Sequence, residues 1–151
     1  MKKFRFKLES LETLKKKLQE QSLRNLGDAR RKYKEAVDHR NHLVELLNDA
    51  LLRRENLGLV KTPVSGFITE NELISGLKVR IGYASQEIFR RQKYVEIAML
   101  KYLKALKEVK KFESLRDRDY KAYKKQVLKW REKQFDDLMI MRSGFERKES
   151  A

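Results

Sequence analysis

Cysteine is absent from this 151-residue chain, so neither a disulfide framework nor thiolate chemistry is open to it. That fits a reducing compartment. Proline occurs once, as Pro63, and glycine six times. A globular core of this length ordinarily uses more of both in its turns. No apolar run approaches the roughly 18 residues that cross a bilayer: the longest, Leu43 to Leu52, is interrupted by Glu45, Asn48 and Asp49. The opening MKKFRFKLES is basic but leads into no apolar segment, so it does not read as a secretory signal. A soluble, cytoplasmic protein is expected.

What is present is helical periodicity, broken once. The break is GLVKTPVSGFIT, Gly58 to Thr69, which holds Pro63, Gly58 and Gly66. On the N-terminal side an apolar track runs Leu11, Leu14, Leu18, Ser22, Leu26, Ala29, Tyr33, Val37, Arg40, Val44, Leu47, Leu51, about 3.64 residues per step. On the other side it runs Leu73, Leu77, Ile81, Ala84, Ile88, Gln92, Val95, Met99, Tyr102, Leu106, Val109. Weaker members carry it on to Met141, at about 3.58 per step. The pattern predicts one domain of all-α class: a long antiparallel two-helix coiled-coil hairpin. Helices are expected over about 6–57 and about 70–142, joined by a loop over about 58–69 and followed by a frayed tail, 143–151. Periods near 3.6 predict a nearly straight or weakly wound pair rather than a tight supercoil. Thr69 and Glu72 form a T-x-x-E capping box for the second helix, and Gly144 is its expected end. Gly76 and Gly82 weaken its first turns or let something approach closely.

Symmetric pairing about the loop places opposite one another residues whose numbers add to about 127. Phe6 then faces about Lys121, and the longer second arm continues without an intramolecular partner to Arg142. That overhang, YKKQVLKWREKQFDDLMIMR, carries Val127, Trp130, Phe135, Leu138, Met139, Ile140 and Met141. A long apolar surface of this kind marks an interaction site. It could be covered by another protein, by a second copy, or by the chain's own N-terminus. The first is favoured.

Charge sharpens the picture. Residues 1–34 hold 12 Lys+Arg against 4 Asp+Glu, and residues 101–133 hold 13 against 5, a net of +8 each, whereas residues 35–100 are balanced at 9 and 9. In a hairpin the two basic segments lie side by side at the open end. Their self-repulsion calls for an acidic counterpart.

Chemistry is missing by contrast. There is no GxxxxGK(S/T), no GxGxxG and no nucleophile elbow. His39 and His42, spaced i, i+3, offer two metal ligands but no third. Asp136 and Asp137 are adjacent, and adjacent helical positions point in different directions, which makes a poor acid/base dyad. No catalytic, cofactor-binding or metal site is expected, nor a small-molecule substrate. The protein reads as a binding element and not an enzyme.

Three stretches together resemble the FliJ family of flagellar export proteins. The opening KFRFKLESLETLKKK pairs Phe4 and Phe6 with a leucine repeat, Leu8, Leu11, Leu14 and Leu18. GFITENELISGLKVRIGYASQEI resembles the family's second-helix start, although no aromatic residue stands at the turn around Gly76. The ending places Glu113, Leu115, Arg116 and Arg118 before Glu132, Lys133, Asp136, Asp137, Leu138 and Arg142. The resemblance implies a coiled-coil stalk like the central stalk subunit of rotary ATPases. It implies a cytoplasmic position, peripheral to the inner membrane at the flagellar basal body. The implied partners are the export ATPase (FliI), the export gate protein FlhA and export chaperones.

On that reading the ATPase interface comprises Phe4, Phe6, Lys15, Lys16, Lys17, Trp130, Arg131, Lys133, Phe135 and Arg142. Cations steer the encounter and aromatics anchor it. The gate or chaperone interface comprises Phe67, Leu73, Leu77, Ile81 and Tyr83, of which Phe67 is expected to lie outside the seam. Two other readings remain. A basic hairpin with Tyr120, Tyr123 and Trp130 among lysines could grip an RNA or DNA backbone, with steep salt dependence, but it shows no base-reading motif. A prefoldin-like holdase would need more sequence between the helices.

Overall fold

The computed structural model describes residues 3–149, and the side chains of residues 3–144. It contains two helices, α1 (Glu9–Leu57) and α2 (Val64–Glu149), and no strand among the described residues. The all-α class and the longer second helix are as expected: α2 has 86 residues and α1 has 49.

The helix ends follow local chemistry. Glu9 and Glu12 lie in the first turn of α1 and Arg54 in its last, each complementing the helix dipole. Two tight backbone bonds close α1, from Gly58 N–H to Glu55 O and from Leu59 N–H to Asn56 O, both 3.1 Å. The Thr62 hydroxyl lies 3.2 Å from Val60 O and 3.4 Å from Leu57 O. Pro63 stands immediately before α2, where its missing N–H leaves no helical bond unmade. The capping-box expectation is corrected here. α2 starts at Val64, so Thr69 lies inside it and donates its hydroxyl to Ser65 O at 3.0 Å. Glu70, beside it, meets Arg53 Nε at 3.1 Å. Gly144 does not end α2, which runs through it to Glu149. One helical glycine costs about 1 kcal/mol against alanine, which the flanking residues outweigh. Residues 150 and 151 of the expected frayed tail lie outside the described residues.

The chain divides into two compact units. One, the loop unit, is Gln19–Lys104; the other, the terminal unit, is Met1–Leu18 with Ala105–Ala151. In the loop unit the shielded positions of α1 repeat every seven residues along two interleaved rows: Ser22, Ala29, Ala36, Leu43, Ala50, and Leu26, Tyr33, Arg40, Leu47. On α2 the rows are Glu70, Leu77, Ala84, Arg91, Ala98 and Ile74, Ile81, Ile88, Val95, Tyr102. Two positions per seven residues is the 3.5 repeat of a left-handed coiled coil. The shielded rows thus repeat at 3.5, where the apolar tracks read from the sequence repeat near 3.6. Near the loop the rows close into an apolar core of Leu43, Ala50, Ile74, Leu77 and Ala84, flanked by Leu47 and Ile81. Arg53–Glu70 and Arg54–Asn71 contacts set an antiparallel register whose paired numbers add to about 124.

Candidate partner-binding surfaces

In the terminal unit the shielded positions mix apolar residues, Val109 buried and Leu106, Phe112 and Leu115 half-buried, with charged ones. Glu12 is only 4% exposed, with Lys16 Nζ at 2.9 Å and Arg116 at 3.1 Å from the same carboxylate oxygen. Both are ion pairs by distance; neither is aligned as a hydrogen bond. Lys15 reaches Glu108 at 3.4 Å, and Lys16 also lies 4.0 Å from Glu113. The leucines that the apolar track assigned to the seam, Leu11, Leu14 and Leu18, are 45%, 51% and 49% exposed. They line an outer face of α1 with half-exposed Leu8, flanked by Lys7 and Lys17.

Before α1 the chain is held against α2 by aromatic rings. Phe4 lies edge-on to Tyr120 at 5.2 Å and tilted to Tyr123 at 5.5 Å, and the Lys124 ammonium sits 4.8 Å from the Tyr120 ring centre. Phe6, two residues further on, is buried. The N-terminus thus covers α2 as far as this tyrosine pair. From residue 128 to residue 144 every side chain is exposed, including Leu128, Trp130, Phe135, Leu138, Met139, Ile140 and Met141.

The expected ATPase-interface residues therefore separate. Trp130, Arg131, Lys133, Phe135, Arg142 and Lys17 are on the surface. Lys15 and Lys16 are half-buried in ion pairs. Phe4 and Phe6 pack the unit itself, and Phe6 is not accessible to a partner. The outer leucine face was missed, because the leucines were spent on the seam; a strict 3.5 repeat would have freed them.

In the loop unit, Leu77 is buried and Ile81 half-buried in the core, whereas Leu73 and Tyr83 are exposed. Phe67 is half-buried, seven residues before Ile74 on the same row, so it continues the seam instead of lying outside it. His42 Nδ1 lies 3.9 Å from Glu45, and the described residues contain no group of three His, Cys, Asp or Glu able to hold a metal. Nothing approaches within 4 Å of a Cβ built on Gly76 or Gly82. Two open grooves flank the seam. One, of about 600 Å³, lies between Ser22, Ala29 and Lys32 on α1 and Arg90, Tyr94 and Ala98 on α2. The other lies between His39, Leu43, Arg80 and Tyr83.

A family model described as flagellar FliJ protein matches residues 4–148. The chain belongs to that family. No curated protein and no solved structure matches it. Family membership makes the chain a coiled-coil protein related to flagellar export, acting within that apparatus. No helix among the described residues is long and apolar enough to cross a membrane.

Proposed function

We propose that the chain is a non-catalytic stalk of the flagellar type III export apparatus. In this reading its terminal unit engages the export ATPase ring (FliI), and its loop unit engages the export gate protein FlhA or export chaperones. The observation that carries it, beyond the family match, is the fully exposed run from 128 to 144 on a unit of strongly basic composition. The terminal unit has 21 Lys+Arg against 11 Asp+Glu, so it holds +10 of the chain's +15. Exposed Trp130, Phe135, Leu138 and Met141 have the aromatic and Met-containing composition of an interface core, and the surrounding cations supply steering. Arg131, Lys133 and Arg142 fit acidic loops inside a ring. On the loop unit, Leu73 and Tyr83 supply the contact surface for gate or chaperone, with Phe67, Leu77 and Ile81 holding that surface from the seam. Tyr120 and Tyr123 are engaged by Phe4, which counts against their use as base-stacking platforms for a nucleic acid.

The test is ATP turnover by the purified export ATPase with increasing amounts of this chain, scored with ring assembly. Wild type should stimulate both. Trp130→Ala should require about tenfold more protein for the same effect, as expected of an aromatic interface anchor, with unchanged helicity by circular dichroism. Equal stimulation by the variant would remove Trp130 from the interface.

A further inference from the structure

The two grooves of the loop unit share Glu87 and Arg90 in their linings, so they make one trough along a side of the seam. It exists because Ser22, Ala29 and Ala98 occupy seam rows and are too short to fill them. Its lining is sorted by charge. It is lined by Lys32, Arg80, Arg90, Arg91 and Lys101 but by a single carboxylate, Glu87, which lies 2.7 Å from Arg91 and 3.8 Å from Arg90. The loop unit holds 16 Lys+Arg against 11 Asp+Glu, and this face carries five cations against one carboxylate. Between the cations lie Tyr94 and Ile97, 60% and 49% exposed, with the two alanines.

We propose that this trough seats an acidic amphipathic α-helix of a partner protein. The wall residues belong to helices whose backbone groups are already paired. They offer no edge to an extended peptide, whereas a helix satisfies its own backbone and presents only side chains. An apolar stripe on the incoming helix would lie over Ala29, Tyr94, Ile97 and Ala98. Carboxylates beside that stripe would meet the cations, and like charge would be rejected. From Arg80 to Lys101 α2 rises about 32 Å, the length of a helix of roughly 20 residues. Arg80, Arg90 and Lys101 are spaced about three turns apart, which asks for acidic residues at similar intervals on the partner. The apolar lining favours a peptide over a phosphate backbone. This site is separate from the ATPase reading, and its test needs only the purified chain.

Because the chain has no cysteine, Asn25→Cys places an environment-sensitive dye in the trough, and Leu138→Cys places one on the exposed stretch. The probes are a synthetic helical peptide of about 20 residues with leucines on one face flanked by glutamates, its Glu-to-Lys counterpart, and a single-stranded RNA of mixed sequence. The acidic peptide should shift the Asn25→Cys signal. Adding Ala98→Phe, which fills the trough without changing charge, should weaken binding at least about tenfold. So should Lys101→Glu, an exposed change that leaves packing intact. The Glu-to-Lys peptide should not bind. The proposal is overturned by equal binding in both variants, by equal binding of the two peptides, by a signal confined to Leu138→Cys, or by RNA outcompeting the acidic peptide at Asn25→Cys.

Discussion

The two units use the same pair of helices for opposite purposes. The loop unit buries Leu43, Ala50, Ile74, Leu77 and Ala84 between its helices. The terminal unit puts Glu12, Lys16 and Arg116 there and leaves Leu11, Leu14 and Leu18 outside. Apolar burial supplies net stability at roughly 25 cal/mol per Å². Partly exposed ion pairs contribute about 1 kcal/mol or less. The loop unit is therefore the stabilising half. The terminal unit buries Phe6 and Val109 but leaves many of its apolar side chains exposed, on both the leucine face of α1 and the outer stretch of α2.

The largest test of this contrast is Leu77→Ala. Leu77 is buried in the loop-unit core, and removing a buried leucine side chain costs about 2–5 kcal/mol. Urea denaturation followed by circular dichroism should show a loss in that range. A loss under 1 kcal/mol would mean the seam near the loop does not carry the fold's stability.

That core was only partly legible in the sequence. The break around Pro63 and the antiparallel pairing were readable, since one proline in 151 residues leaves little choice of turn, but the register near the loop differs, with paired numbers adding to about 124 and not 127. The phase of the seam was not readable. A track fitted to apolar residues at about 3.64 per step and a seam at 3.5 drift apart by one residue over a few turns. They agree at Ser22, Leu26, Ala29, Tyr33, Arg40 and Leu47 and differ by one position elsewhere: Leu11 for Glu12 and Leu18 for Gln19 at one end, Val37 for Ala36, Val44 for Leu43 and Leu51 for Ala50 towards the other. Fitting to hydrophobicity could not find a seam whose first turns are charged. The basic composition of the terminal unit was legible as a count along the chain. The trough was not, because its other wall, Ser22, Ala29 and Lys32, comes from α1 and meets Arg90, Tyr94 and Lys101 of α2 only once the two helices are paired.

Glycine substitutions separate the units at the next level. Gly82 in the loop unit and Gly144 in the terminal unit are both helical, with open space where a Cβ would go. Gly82→Ala should raise the stability of the cooperative unfolding transition by about 1 kcal/mol. Gly144→Ala lies where side chains are uncovered, so it should slow amide exchange locally and leave the transition in place. Equal gains from both would show that α2 unfolds as one unit to its end.

The charged seam gives a smaller effect with a diagnostic sign. Glu12→Ala strands Lys16 and Arg116, but these are 42% and 43% exposed and can turn to water, so the cost should be about 1 kcal/mol. Glu12→Leu should be near neutral, since apolar burial replaces a pair that desolvation had already weakened. Raising salt should narrow the difference between wild type and Glu12→Ala. A loss of several kcal/mol in Glu12→Leu would make the ion pairs a stabilising core in their own right.

Smallest in stability, and most telling for the contrast, is Leu14→Ser. A leucine that is 51% exposed loses little on replacement, within about 0.5 kcal/mol, whereas a seam leucine would cost several times that. Thermal denaturation of Leu14→Ser beside Leu77→Ala therefore reads the phase of α1 directly. If the two variants lose comparable stability, Leu14 faces α2 and the apolar track, not the 3.5 repeat, describes the terminal unit. If Leu14→Ser unfolds like wild type but stimulates the export ATPase less, the outer leucine face belongs to the same partner surface as Trp130. The terminal unit would then present apolar side chains from both helices to one partner, with the ion-paired seam between them serving only to hold those two faces in register.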